Sequence, residues 1–244
     1  MDVDVDGFWD QLLDHLGRSL VVGQAADDVW VLAGVVLGLL LVLTPLWRLT
    51  RTAVTVVHEL GHALVGVLCG RRFTGLVINP DMSGHTVTRG RGNGPGLVAT
   101  SAAGYPAPFV CGAALVVAVG AGRTGVVLLL AIVALLVGLL RSRSVYTVVV
   151  MLALLVGTVA LWWWGAPDLG AAVVTSAGVL VLAGAWRQLV NVALHGDRRQ
   201  DPGMLAAMTR IPAALWILAF AVIGAATTWW AVRALVDPVT AAIS

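Results

Sequence analysis

His58-Glu59-Leu60-Gly61-His62 is the stretch whose residue types and spacing suit bond-breaking chemistry. On a helix, histidines four apart share one face, so both imidazoles can bind a single Zn²⁺. The glutamate between them is not a ligand. It stands beside the water that zinc activates and can take its proton as general base. Glu59 is the only glutamate among 244 residues; the other twelve acids are aspartates. The run around it, Thr52 to Gly70, is otherwise apolar enough for hydrocarbon. Ionisable groups at membrane depth are expensive and by default mark a functional site. Gly61, Ala63 and Gly66 are small, which lets another backbone come close.

A catalytic zinc takes three protein ligands and keeps one position for water, so a third ligand must come from elsewhere. His85, His195, Asp197, Asp201 and Asp81 are the candidates on the same side of the membrane. Asp201-Pro202 also reads as a helix start, with aspartate as cap and proline as first helical residue. His85 reads equally as a polar strand residue and His195 as an interfacial one. Cys69 and Cys111 lie in apolar runs with no CxxC spacing, so they read as small core residues, not a thiolate site.

The elements that must hold these groups are membrane helices. Hydrophobic residues make up 59% of the chain and charged residues 11%, too little polar surface for a soluble domain. Seven apolar stretches approach the ~20 residues needed to cross a bilayer: Val29–Trp47, Thr52–Gly70, Leu97–Gly120, Thr124–Leu140, Val145–Trp164, Leu169–Val190 and Ile211–Val236. Tyr105-Pro106-Ala107-Pro108 should break the third. The expected fold is therefore an all-α polytopic membrane protein with about seven spans. A short β-hairpin follows the second span, Phe73–Asn79 against His85–Thr88, with a glycine-rich connector to Gly96. Residues 29–236 form one domain and 237–244 a short tail. Ahead of them, residues 1–28 carry Phe8, Leu12, Leu16 and Leu20 at helical spacing, which suits an amphipathic helix on the membrane surface. No basic region precedes an apolar one there, so a cleaved signal peptide is not expected.

All fifteen basic residues are arginines spread between the apolar runs, which excludes a nucleic-acid surface. With seven spans, eleven arginines fall on the side of the N-terminus and four opposite, and the positive-inside rule then places the N-terminus in the cytoplasm.

With these residues in view, the sequence resembles the M50 metallopeptidases, the site-2 protease family, and within it the bacterial M50B-like branch. The resemblance rests on His58-Glu59-Leu60-Gly61-His62 in a membrane helix and on the hairpin after it. It also rests on Ala102-Ala103-Gly104-Tyr105-Pro106-Ala107-Pro108 and on Asp201 to Pro212, with a Leu-Ala pair, a threonine and an Ile-Pro step. The resemblance implies one zinc per chain, bound by His58, His62 and Asp201, with Glu59 as base. It implies cleavage of a membrane-spanning protein substrate, in the inner membrane of a bacterium. A catalytically silent membrane assembly protein and a proton-relay transporter are the competing readings. Spans four to six are nearly free of internal charge, which weighs against the transporter.

Overall fold

A computed structural model describes residues 5–24, 26–196 and 198–243, with backbone only at residues 5, 6 and 237–243. Residues 1–4 of the N-terminal segment and Ser244 of the tail lie outside the description. Among the described residues there are ten helices and one antiparallel pair of strands.

The helices begin where the sequence stops them from beginning earlier. Proline stands in the first turn of α4 (Pro95–Ala102), α5 (Pro106–Gly120), α8 (Pro167–His195) and α9 (Asp201–Thr209), a position where its missing N–H costs nothing. α7 (Val145–Trp164) is capped by Ser144, whose hydroxyl accepts from the Thr147 N–H at 3.1 Å. The break expected at residues 105–108 is present: α4 and α5 meet at 56°.

α8 is the central helix. α2 (Asp28–Leu43) runs parallel to it, with Gly34 against Ala172 and Thr175 and Gly38 against Ser176 and Val179. α5 runs antiparallel to α8, Gly112 facing Gly178 and Phe109 packing on Trp186. α10 (Ala213–Ile243) lies along α5, with Gly224 against Phe109 and Trp186. Small residues at these crossings let backbones approach, the usual basis of helix association where solvent is lipid. α6 (Thr124–Leu140) pairs with α7, Gly138 resting on Met151.

The expected hairpin is present as β1 (Arg72–Ile78) and β2 (Gly84–Arg89), registered from Arg72 opposite Arg89 to Ile78 opposite Gly84. The far edge of β1 is occupied. The Leu76 N–H donates to the Arg141 carbonyl at 2.9 Å, and the Arg143 N–H donates to the Leu76 carbonyl at 3.0 Å. Among the described residues no backbone hydrogen bond reaches the outer edge of β2.

Two expectations change. The first two apolar stretches form a bent pair: α2 and α3 (Trp47–Leu68) meet at 104°. Thr44 is extended ahead of Pro45, which disfavours helix in the residue before it. α7, α8 and residues 213–236 of α10 are each long and apolar enough to cross a membrane; counting each bent pair as one span gives five, and α6 is apolar but shorter. The seven apolar stretches thus resolve into three to five candidate spans.

Sidedness changes with the bend, because α3 turns aside instead of returning along α2. The N-terminal helix, α1 (Val5–Leu20), was expected on the hairpin's side but docks at the opposite end of the bundle. There the Trp162 indole donates to Ser19 at 2.7 Å, the His15 ring stacks on Trp163, and the Gly23 N–H donates to the Gly122 carbonyl. Only Arg18, Arg123 and Arg233 belong to that end; the other twelve arginines belong to the hairpin half.

The α5–α8 crossing yields a direct test. A Cβ on Gly112 would stand 2.7 Å from the Gly178 carbonyl oxygen and the Leu182 nitrogen, whereas one on Gly157 meets nothing within 4 Å. Gly112→Val should destabilise the detergent-solubilised protein by roughly 1–3 kcal/mol, and Gly157→Ala should be neutral or stabilising by up to about 1 kcal/mol, both read from thermal unfolding.

Candidate metal centre

The site is built on the middle of α3, where helical spacing turns His58 and His62 to one face and Glu59 aside. Glu59 is buried at 4% exposure. Its backbone carbonyl accepts from the Thr86 hydroxyl at 2.8 Å, tying β2 to the helix. Gly61 lets α5 approach: a Cβ there would strike Ala107 and stand 3.0 Å from the Ala103 carbonyl oxygen.

Asp201 arrives from the other end of the chain. Its Oδ2 lies 3.1 Å from His58 Nε2 and 3.3 Å from His62 Nε2, and the two Nε2 atoms are 3.2 Å apart. The His62 Nδ1–H donates to the Thr100 carbonyl at 2.7 Å. That bond fixes the tautomer and leaves Nε2 with its lone pair toward the aspartate. Asp201 Oδ2 is buried with no hydrogen-bond partner.

Two imidazole nitrogens and a carboxylate oxygen converging on one point fit a metal ion. The edges fit as well, since tetrahedral zinc with bonds of 2.0–2.1 Å spaces its ligands about 3.3–3.4 Å apart. Two imidazoles and one carboxylate are also a ligand set that leaves a position open. Among the described residues this is the one such group of histidine, cysteine and acidic side chains.

The other candidates among the described residues are not brought to it. Asp81 sits in the hairpin turn, where its carboxylate accepts from the Ser83 hydroxyl and N–H, and those bonds hold it below the ordinary aspartate range. His85 and His195 line the cavities beside the site without joining the cluster. Asp197 lies outside the described residues. Asp201 is not the helix cap: Gln200 takes that position and Asp201 is the first helical residue.

Several residues had no assigned part in the sequence reading. Gly104 faces the cluster, and a Cβ there would lie 2.5 Å from both Asp201 Oδ2 and His62 Nε2. Its place in the Ala-Gly-Tyr-Pro run was the only signal. Tyr105 sets its ring edge-on to His58 with centroids 5.0 Å apart, and stacks on Phe220 of α10. Gly84 clears space for Glu59, since a Cβ there would come within 3.0 Å of its Oε1. The Thr100 carbonyl carries no side-chain signature at all.

A bundle of apolar helices with an inserted hairpin thus encloses a half-buried His-His-Asp cluster beside a glutamate. The chain belongs to the peptidase M50B-like family, whose model matches residues 31–231. No curated protein and no solved structure matches it.

Gly104→Ala tests the geometry of the cluster. The added methyl occupies the point on which the three donors converge, so zinc retained after dialysis should fall at least tenfold while circular dichroism stays helical. Retention of full zinc would place the metal elsewhere.

Proposed function

We propose that this chain is an intramembrane zinc endopeptidase that cuts a membrane-spanning protein, with His58, His62 and Asp201 as zinc ligands and Glu59 as general base. The observation that carries it is the convergence of Asp201 Oδ2 on the two histidine nitrogens of α3, with the buried Glu59 next to His58 in the same helix. Zinc held there supplies Lewis acidity and brings the pKa of a coordinated water toward ~7.

The chain's own groups do the rest. Glu59 Oε2 is buried without a hydrogen-bond partner, so its carboxylate is free to take the proton of the attacking water. As the tetrahedral intermediate collapses, the same carboxyl returns the proton to the departing amine. The Thr86 hydroxyl anchors the Glu59 main chain to the hairpin, and Gly84 leaves room for the carboxylate.

Cavities of about 740 and 530 Å³ flank the site. Residues 84–88 of β2 line the smaller one, beside Glu59 and Asp201. A helical substrate shields its amides, so the segment to be cut unwinds and adds as a strand to the free edge of β2. Twelve of fifteen arginines lie in the hairpin half, and by the positive-inside rule this supports a site facing the cytoplasm of a bacterial cell membrane, with α1 on the opposite face.

Two substitutions test this. Glu59→Gln should keep its zinc and lose cleavage of a model transmembrane substrate by at least 10²-fold, in line with loss of a general base. Asp201→Ala should lose both zinc and cleavage. Undiminished cleavage by Glu59→Gln would refute the mechanism, and full zinc in Asp201→Ala would refute the ligand assignment.

A further inference from the structure

The two cavities share five lining residues: His58, Glu59, Gly84, Tyr105 and Gln200. His58 and Glu59 belong to the chemistry, Gly84 offers no side chain, and the Tyr105 ring is stacked between His58 and Phe220. Gln200 remains. It stands one residue before Asp201 in extended conformation, and its side chain makes no capping bond to α9. Its Oε1 is buried and has no hydrogen-bond partner. A buried amide oxygen left unpaired is costly, and native structures rarely keep one without use.

An unwound substrate creates the matching need. In a strand, successive residues direct their N–H and C=O groups to opposite edges. The set facing β2 is satisfied by that strand. The alternate set faces away, in surroundings where water is scarce and every backbone donor requires a partner. We propose that the Gln200 carboxamide oxygen accepts one of these outward N–H groups, holding the extended substrate across the site from within the two cavities. Gln200 is thus a substrate-positioning residue, and its neighbour Asp201 brings it to the metal centre. This inference rests on the peptidase reading above.

The test separates the two. A fluorescent model transmembrane peptide is first shown to be cleaved by the wild type and spared by Glu59→Gln, which establishes the peptidase. Binding of that peptide is then measured to zinc-loaded Glu59→Gln and to the double variant Glu59→Gln/Gln200→Met, in the same micelles. Loss of one neutral hydrogen bond should weaken binding about five- to tenfold. Zinc content should be unchanged, and the thermal midpoint equal or higher, because methionine removes an unpaired buried oxygen while keeping its volume. The peptide is next synthesised with single backbone esters, each deleting one N–H near the cut. One ester should weaken binding to Glu59→Gln by a similar factor and have no effect on the double variant. Equal binding by both variants, equal ester effects in both at every position, or lost zinc in the double variant each overturns the role given to Gln200. Absence of any Glu59-dependent cleavage overturns the peptidase reading and the inference with it.

Discussion

Two imidazole nitrogens and a carboxylate oxygen from distant parts of the chain share one half-buried point, and the rest of the structure is arranged around it. His62 spends its one proton on the Thr100 carbonyl, so its Nε2 faces Asp201 Oδ2 as an acceptor facing an acceptor. Two imidazoles and a carboxylate at 3.1–3.3 Å inside a chain that is 59% apolar need a shared proton or a cation to sit this close. With a cation present the same contacts become attractive, and they clamp α9 to α3 over a long separation in sequence. Metal binding and the closure of the fold are then one free-energy term.

The hairpin answers a second constraint. Under the activity proposed above, a peptidase for membrane segments must offer backbone partners to a chain that has left its helix. β1 cannot serve, because its outer edge is paired with residues 141–143 and the Ile78 N–H donates to Thr147. β2 is left open on the side of Glu59. Unpaired edges are a hazard on a soluble surface, but here the edge lines a cavity.

Features with a local period were legible in the sequence. The His-Glu-x-x-His spacing, the two strands and the proline break all follow from residues close together in the chain, and all are present. The bend between α2 and α3 was not, because apolarity reports burial without saying what does the burying. Val54, Val56 and Ala63 of α3 are covered by protein, yet they read in sequence as if covered by lipid. Counting α3 as a crossing then put α1 at the hairpin's end of the bundle, whereas it docks at the other end. Asp201 was a harder case: Asp-Pro is also a helix start, and local chemistry alone favoured that use. The structure gives the cap to Gln200 and turns the carboxylate inward.

What polar residues could not reveal is how the site is kept open. Gly61, Gly84 and Gly104 come from three different elements, and each stands where a Cβ would strike the site or its frame. The first meets α5, the second Glu59, the third the ligand cluster itself. Helix contact can move by a few tenths of an ångström to accept a methyl, but a metal ligand set tolerates little displacement before affinity falls. The three positions therefore differ in consequence although they are alike in residue type. Gly61 leaves room for α5, Gly84 for the Glu59 side chain, and Gly104 for the His-His-Asp cluster. Glycine in an apolar chain is ordinarily read as a packing residue, and for Gly104, in the turn between α4 and α5, that reading understates it, because the space it leaves is shared by a histidine nitrogen and a carboxylate oxygen.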